Sequence, residues 1–124
     1  MNNQNIEESR VLPTPSSVIG KHPLSTTLEQ QIAAARNTVE DILQSRDPRH
    51  LAIVGPCSVH DVDEAYEYAK GLKKIQDNAA DIFFIVMRVY CEKLRTTVGW
   101  KGLAYDPDLN ETNDIEKGLT QTRK

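Results

Sequence analysis

The sequence predicts a parallel α/β fold, on three observations. Two apolar runs, Leu51–Val54 and Ile82–Met87, are continuous rather than alternating, which suits strands covered on both faces. Apolar residues at helical spacing lie before and between these runs. A third helix start follows a long polar stretch after the second run, and strand–helix alternation of this kind is the signature of a parallel sheet.

Each element has a local cause. Residues 1–24 are expected to form an irregular arm, because Pro13, Pro15, Ser16, Ser17 and Pro23 break any period. It reads either as a loose tail or as an arm that docks on a partner subunit through Val11, Leu12, Val18 and Ile19. Thr26-x-x-Glu29 fits a capping box. Leu28, Ile32, Ala35, Val39 and Ile42 then line one helical face, so a helix is expected over 27–45, ended by Asp47-Pro48. The strand Leu51–Val54 follows and stops at Gly55-Pro56. Asp61-x-x-Glu64 opens a second helix, with Ala65, Tyr68, Ala69, Leu72 and Ile75 on its apolar face, running to about Gln76. The second strand is expected over Ile82–Tyr90, then a polar loop over Cys91–Thr112, then a helix opened by Asn113-x-x-Glu116. Two strands alone make no sheet that could bury both runs. The chain, 124 residues long, is therefore expected to be the N-terminal piece of a longer protein. Residues 1–47 would be the arm and first helix, and residues 48–124 the first β/α units.

Composition narrows the function classes. The apolar fraction of 39% and charged fraction of 27% are those of a globular chain. A net charge of −3 gives no basic footprint for a nucleic-acid partner. No apolar run approaches the ~20 residues that span a bilayer, and Met1 to Arg10 lacks the features of a secretory signal. Cys57 and Cys91 are expected to stay reduced in a cytoplasmic chain.

Ligands of parallel α/β folds bind at the carboxyl ends of strands, and both strands here end in chemistry-bearing residues. Cys57 follows the Gly55-Pro56 turn, where a thiolate could ligate a divalent metal, with His60 nearby; as a small buried residue it would have no such role. Between Arg88 and Lys101, four cations (Arg88, Lys93, Arg95, Lys101) face one anion, Glu92. Arg88 lies within an apolar run, where an unpaired guanidinium would be costly; a carboxylate or phosphate suits its planar fork. Lys93, Arg95, Thr96 and Thr97 read as a phosphate clamp, or as a solvated basic loop. Gly99-Trp100-Lys101-Gly102 reads equally as a structural plug or a ligand contact. Asp106-Pro107-Asp108 reads as a turn.

Two motifs, Gly55-Pro-Cys-Ser-Val-His60 and Val86-Met-Arg-Val-Tyr-Cys-Glu-Lys-Leu-Arg-Thr-Thr-Val-Gly-Trp-Lys-Gly102, closely resemble the class I 3-deoxy-D-arabino-heptulosonate-7-phosphate (DAHP) synthases. The resemblance runs from the 27–45 helix to the C-terminus. It implies the N-terminal part of a (β/α)8 TIM barrel with an N-terminal extension. It also implies condensation of phosphoenolpyruvate with erythrose 4-phosphate, releasing phosphate, as the first step of the shikimate pathway to chorismate and the aromatic amino acids. A divalent metal ion such as manganese or iron would assist, with Cys57 as a ligand. Arg88 would bind phosphoenolpyruvate, Lys93 would reach both substrates as the catalytic lysine, and Arg95 with Thr96 would hold the phosphate of erythrose 4-phosphate. An aromatic amino acid as feedback inhibitor and a homo-oligomer are implied too.

Two positions depart from the family pattern: Leu94 stands where proline is usual, and Cys91 where phenylalanine is. Leucine leaves the unbound loop more freedom to lose, and the smaller Cys91 could leave a void. The remaining metal ligands and cations are expected beyond Lys124, so this stretch alone should be inactive. Two other readings stay open: a thiol-dependent enzyme using Cys57 as nucleophile, and a non-catalytic, anion-sensing α/β module.

Overall fold

The computed structural model describes residues 9–124; the first eight residues of the expected arm lie outside it. The elements in order are α1 (Pro15–Lys21), α2 (Thr26–Leu43), β1 (His50–Val54), α3 (Val62–Asn78), β2 (Phe83–Met87) and α4 (Ile115–Arg123). β1 and β2 pair in parallel, with His50 opposite Phe83 and Val54 opposite Met87; α3 is the crossover between them. The mixed α/β class is as the apolar runs imply.

The arm departs from expectation, because Pro15–Lys21 is helical. Thr14 caps this helix by accepting the Ser17 N–H at 3.3 Å. Pro15 occupies the first turn, where its missing donor is not needed. The proline read as a breaker is thus a helix start. Val18 is buried, α1 packs against α4, and Lys21 Nζ lies 3.7 Å from Glu116 Oε1.

α2 also starts earlier than the capping box implies. The cap is Ser25, whose Oγ accepts the Leu28 N–H at 3.2 Å. The capping-box spacing to Glu29 points to Thr26, but the serine hydroxyl one residue earlier takes the role. Ile32, Ala35, Val39 and Ile42 are half-buried as the stripe requires, while Leu28 stays exposed. The helix ends at Leu43, and Ser45 turns the chain with φ 58°. Arg49 then fastens the turn. Its guanidinium grips Asp47 at 2.6 Å and lies 5.4 Å from the centre of the Phe84 ring on β2.

Asp61 caps α3 as expected, accepting the N–H groups of Asp63 and Glu64 at 2.8 and 3.0 Å. α3 runs on to Asn78, and Gln76 uses its amide on β2. Its Oε1 accepts the Ile85 N–H at 2.6 Å, and its Nε2 donates to the Phe83 carbonyl at 3.3 Å. A side chain thereby supplies strand-like hydrogen bonds to β2.

β2 is shorter than the Ile82–Tyr90 run. It ends at Met87, and Arg88 lies just past it, exposed. The charge leaves the sheet instead of being buried in it. α4 begins one residue later than expected: Asp114 caps it by accepting the Lys117 N–H at 3.1 Å, while Asn113 sits at φ 52°.

Among the described residues, the buried apolar positions are Val18, Val59, Leu103 and Ala104. Two of these, Leu103 and Ala104, lie in the loop after β2, and Val59 lies in the loop after β1. The core therefore sits beside the carboxyl ends of the strands. Ile53, Ile75 and Ile82 remain more than half exposed.

Candidate functional site

The loops leaving β1 and β2 run side by side. Arg88 N–H donates to the Val54 carbonyl at 2.7 Å, and Val59 N–H to the Tyr90 carbonyl at 2.7 Å. Gly55 makes the close approach possible, since a Cβ there would collide with the Arg88 carbonyl. Ser58 Oγ donates to the Glu92 carbonyl at 3.0 Å.

This pairing brings Cys57 and Lys93 together. Lys93 Nζ donates to Cys57 Sγ at 2.7 Å. The Cys57 thiol is exposed, and its pKa is lowered below the ordinary thiol value. The Lys93 hydrogen bond is the largest cause, followed by the Lys93 charge; desolvation opposes them, and the more distant Arg88 and Arg95 add weaker fields. Cys57 is therefore not the small buried residue that was the alternative reading. Cys91 is its opposite: half-buried, with burial pushing its thiol pKa up.

Among the described residues, Arg88 pairs with no acid. Its Nη1 donates to the Pro56 and Cys57 carbonyls at 2.7 and 3.0 Å, and the guanidinium lies 5.0 Å from the Tyr90 ring centre. Those two bonds occupy one nitrogen of a five-donor group. Among the described residues the Nε and Nη2 donors carry no hydrogen bond, and the guanidinium is exposed rather than held within the apolar run.

The loop from Lys93 to Lys101 closes on itself, with the Lys93 N–H donating to the Lys101 carbonyl at 2.7 Å. Arg95 Nε reaches the Trp100 carbonyl at 3.4 Å. Leu94, Thr96, Thr97 and Val98 are exposed on this loop. Gly102 anchors the loop's return: at φ 110°, it lies where a Cβ would come within 2.5 Å of Glu92 Cα. Trp100 is a structural plug. It is half-buried, and its Nε1 donates to the Asp106 carbonyl at 2.7 Å. Asp106 is a buried turn residue whose carboxylate accepts the Asn110 and Glu111 N–H groups at 3.4 and 3.2 Å. His60 lies apart from Cys57 chemistry, 3.5 Å from Glu64.

The matches to known proteins follow this geometry. The model of the DAHP synthetase I family matches residues 24–122. The chain belongs to the DAHP synthetase I family. Its relatives include the Tyr-sensitive phospho-2-dehydro-3-deoxyheptonate aldolase of Escherichia coli K12, 47% identical over the whole chain but covered over 35% of its own length. The phenylalanine-inhibited enzyme of Saccharomyces cerevisiae is 45% identical over 91% of the chain and 30% of its own length. A solved phospho-2-dehydro-3-deoxyheptonate aldolase from Francisella tularensis SCHU S4 superposes with a TM-score of 0.89 at 40% identity, over 95% of this chain and 35% of that one. The chain thus spans about a third of the length of the relatives it matches.

DAHP synthetase I membership raises the question of a metal. An exposed thiol with a lowered pKa fits a metal ligand. Among the described residues, no group of three or more His, Cys, Asp or Glu side chains could hold an ion. Cys57 fits as one arm of a donor set that these residues do not complete. Among the described residues, no helix is long and apolar enough to cross a membrane. The close approach at Gly102 is what a glycine in Gly99-Trp100-Lys101-Gly102 allows, whereas the Pro56 carbonyl under Arg88 and the Ser58 bridge carry no signal in the sequence.

Proposed function

We propose that the protein carrying this chain condenses phosphoenolpyruvate with erythrose 4-phosphate to DAHP and phosphate, the first step towards chorismate. The observation that carries this reading is the convergence of Cys57, Arg88, Lys93 and Arg95 at the carboxyl ends of β1 and β2. The chain would supply the first β/α units of a (β/α)8 barrel, with residues 1–47 as arm and first helix. Half-exposed Ile53 and Ile82 would be covered by further barrel elements.

In this reading Arg88, held by two carbonyls, offers its free edge to the carboxylate or phosphate of phosphoenolpyruvate. Lys93 lies between the substrates and balances the developing negative charge. Arg95 and Thr96 bind the phosphate of erythrose 4-phosphate from the loop. Cys57 would be one ligand of a divalent metal, which supplies Lewis-acid polarisation of the sugar aldehyde when bound. Bringing two anionic substrates together in this way contributes through positioning. The names of the relatives span tyrosine, phenylalanine and tryptophan sensitivity, so an aromatic amino acid is the proposed feedback effector. A cytoplasmic homo-oligomer completes the proposal.

The test is the full-length protein incubated with both substrates and a divalent metal. Phosphate release that needs both substrates, and metal content that falls in Cys57→Ala, are expected. A folded, metal-loaded protein that consumes neither substrate would refute it. A second reading draws on the lowered Cys57 pKa: a thiol-dependent reaction at Cys57. It predicts that metal fails to protect Cys57 from iodoacetamide, whereas the condensation reading predicts protection.

A further inference from the structure

We infer that Ser58 is a positioning residue that aims Lys93. The peptide joining Glu92 to Lys93 is held on both of its polar groups. Its carbonyl accepts the Ser58 hydroxyl at 3.0 Å, and its N–H donates to the Lys101 carbonyl at 2.7 Å. A peptide is a rigid plane, so pinning opposite edges fixes its tilt. That tilt sets the direction in which Lys93 leaves the backbone. The lysine is long and flexible, yet its Nζ rests 2.7 Å from Cys57 Sγ.

Ser58 itself is well placed to do this. Cys57 lies on one side of it, and on the other Val59 is buried and bonded through its N–H to the Tyr90 carbonyl. The serine backbone is therefore anchored while its hydroxyl reaches across to the second loop. The Lys101 end is anchored by Gly102, which sits against Glu92 with no room for a side chain. Ser58 thus links the loop bearing the thiol to the loop bearing the ammonium, directly beside the residues that meet. The functional part of this inference rests on the proposed condensation, whereas the geometric part does not.

The test compares Ser58→Ala and Ser58→Thr with the parent in the full-length protein. Ser58→Ala should lower kcat roughly three- to tenfold, the size of one net neutral hydrogen bond, with KM for phosphoenolpyruvate within about twofold of the parent. Ser58→Thr keeps the hydroxyl and should restore kcat. Amide hydrogen exchange supplies a readout independent of activity: peptides covering Lys93 to Lys101 should exchange faster in Ser58→Ala, while those covering β1 and β2 should not. An unchanged kcat and unchanged exchange in Ser58→Ala would overturn the inference. So would a threonine variant as impaired as alanine, or a uniform rise in exchange across the sheet, since either means a general structural role. Absence of condensation in the parent would sink the proposed function alone, and exchange would still decide whether Ser58 holds the Lys93 loop.

Discussion

Lys93 Nζ lies 2.7 Å from Cys57 Sγ, although 36 positions separate the two residues in sequence. The contact joins the ends of two neighbouring parallel strands and sets the chemistry of the thiol.

It predicts selective alkylation. Cys57 is exposed with a lowered pKa, whereas burial raises that of Cys91. Near neutral pH, iodoacetamide should label Cys57 well before Cys91. Lys93→Met removes the largest cause of the lowering, so the midpoint pH of Cys57 labelling should move up and its neutral-pH rate should fall. Peptide mass spectrometry across a pH series measures both. An unmoved midpoint in the variant would show that Lys93 does not control the thiol.

The two arginines should affect different substrates. Arg95 is on the exposed loop, and Arg88 is seated on the Pro56 and Cys57 carbonyls. In the full-length protein, Arg95→Ala should raise KM for erythrose 4-phosphate, and Arg88→Ala that for phosphoenolpyruvate. Each loss should be about 1.5–3 kcal/mol, roughly ten- to a hundredfold. Leu94→Pro should leave phosphoenolpyruvate alone and improve, or not change, the response to erythrose 4-phosphate. Kinetics with each substrate varied in turn decide, and two arginine variants impaired toward one and the same substrate would contradict the division.

Gly102 and Gly99 share φ 110°, but only Gly102 has backbone within 2.5–2.7 Å of its missing Cβ; the Gly99 Cβ would meet only the Arg95 side chain, at 3.5 Å or more. Both alanine variants bear conformational strain of about 1–3 kcal/mol. Gly102→Ala adds a backbone clash and should be the more destabilising by at least ~1 kcal/mol. Urea unfolding of the two variants in the full-length protein compares them directly, and equal losses would mean that the seat around Gly102 yields.

Much of this was legible in the residues. The two apolar runs gave parallel strands because continuous burial needs cover on both faces, and Asp61 was readable as a cap because one acid precedes a periodic face. The clustering of cations after β2 was readable because its charge opposes that of the chain, and the structure brings Arg88, Lys93 and Arg95 close to Cys57. What escaped depended on three-dimensional closeness. Pro15 starts a helix although its sequence context reads as a loop, since a proline at a helix's first position is the same letter as one in a loop. Arg88 looked buried because the apolar run continues past it, but the chain leaves the sheet there. The Ser58 bridge spans 34 positions, and no spacing rule encodes it.

Asp47 gives an acid-stability prediction. Arg49, through a side-chain and then a backbone hydrogen bond, lowers the Asp47 pKa from 3.8 to about 2. A depressed carboxyl contributes stability that is complete above its unfolded pKa and disappears as pH falls through its folded one. Asp47→Asn should therefore be less stable than the parent above about pH 4, and the two should converge as pH approaches about 2. Chemical denaturation at stepped pH follows the gap; a gap that persists unchanged to pH 2 would mean that the pair does not titrate as described.

The packing of α1 against α4 has a consequence for synthesis. Nearly the whole chain separates Val18 from the helix it meets, so the arm emerges from the ribosome long before its binding surface exists. At roughly 5–20 residues per second, Val18 waits on the order of ten seconds in solvent, beside Val11 and Ile19, which stay exposed even afterwards. The arm therefore docks after β1, α3 and β2 have been made. During that interval it offers a short apolar stretch to any chaperone that samples nascent chains.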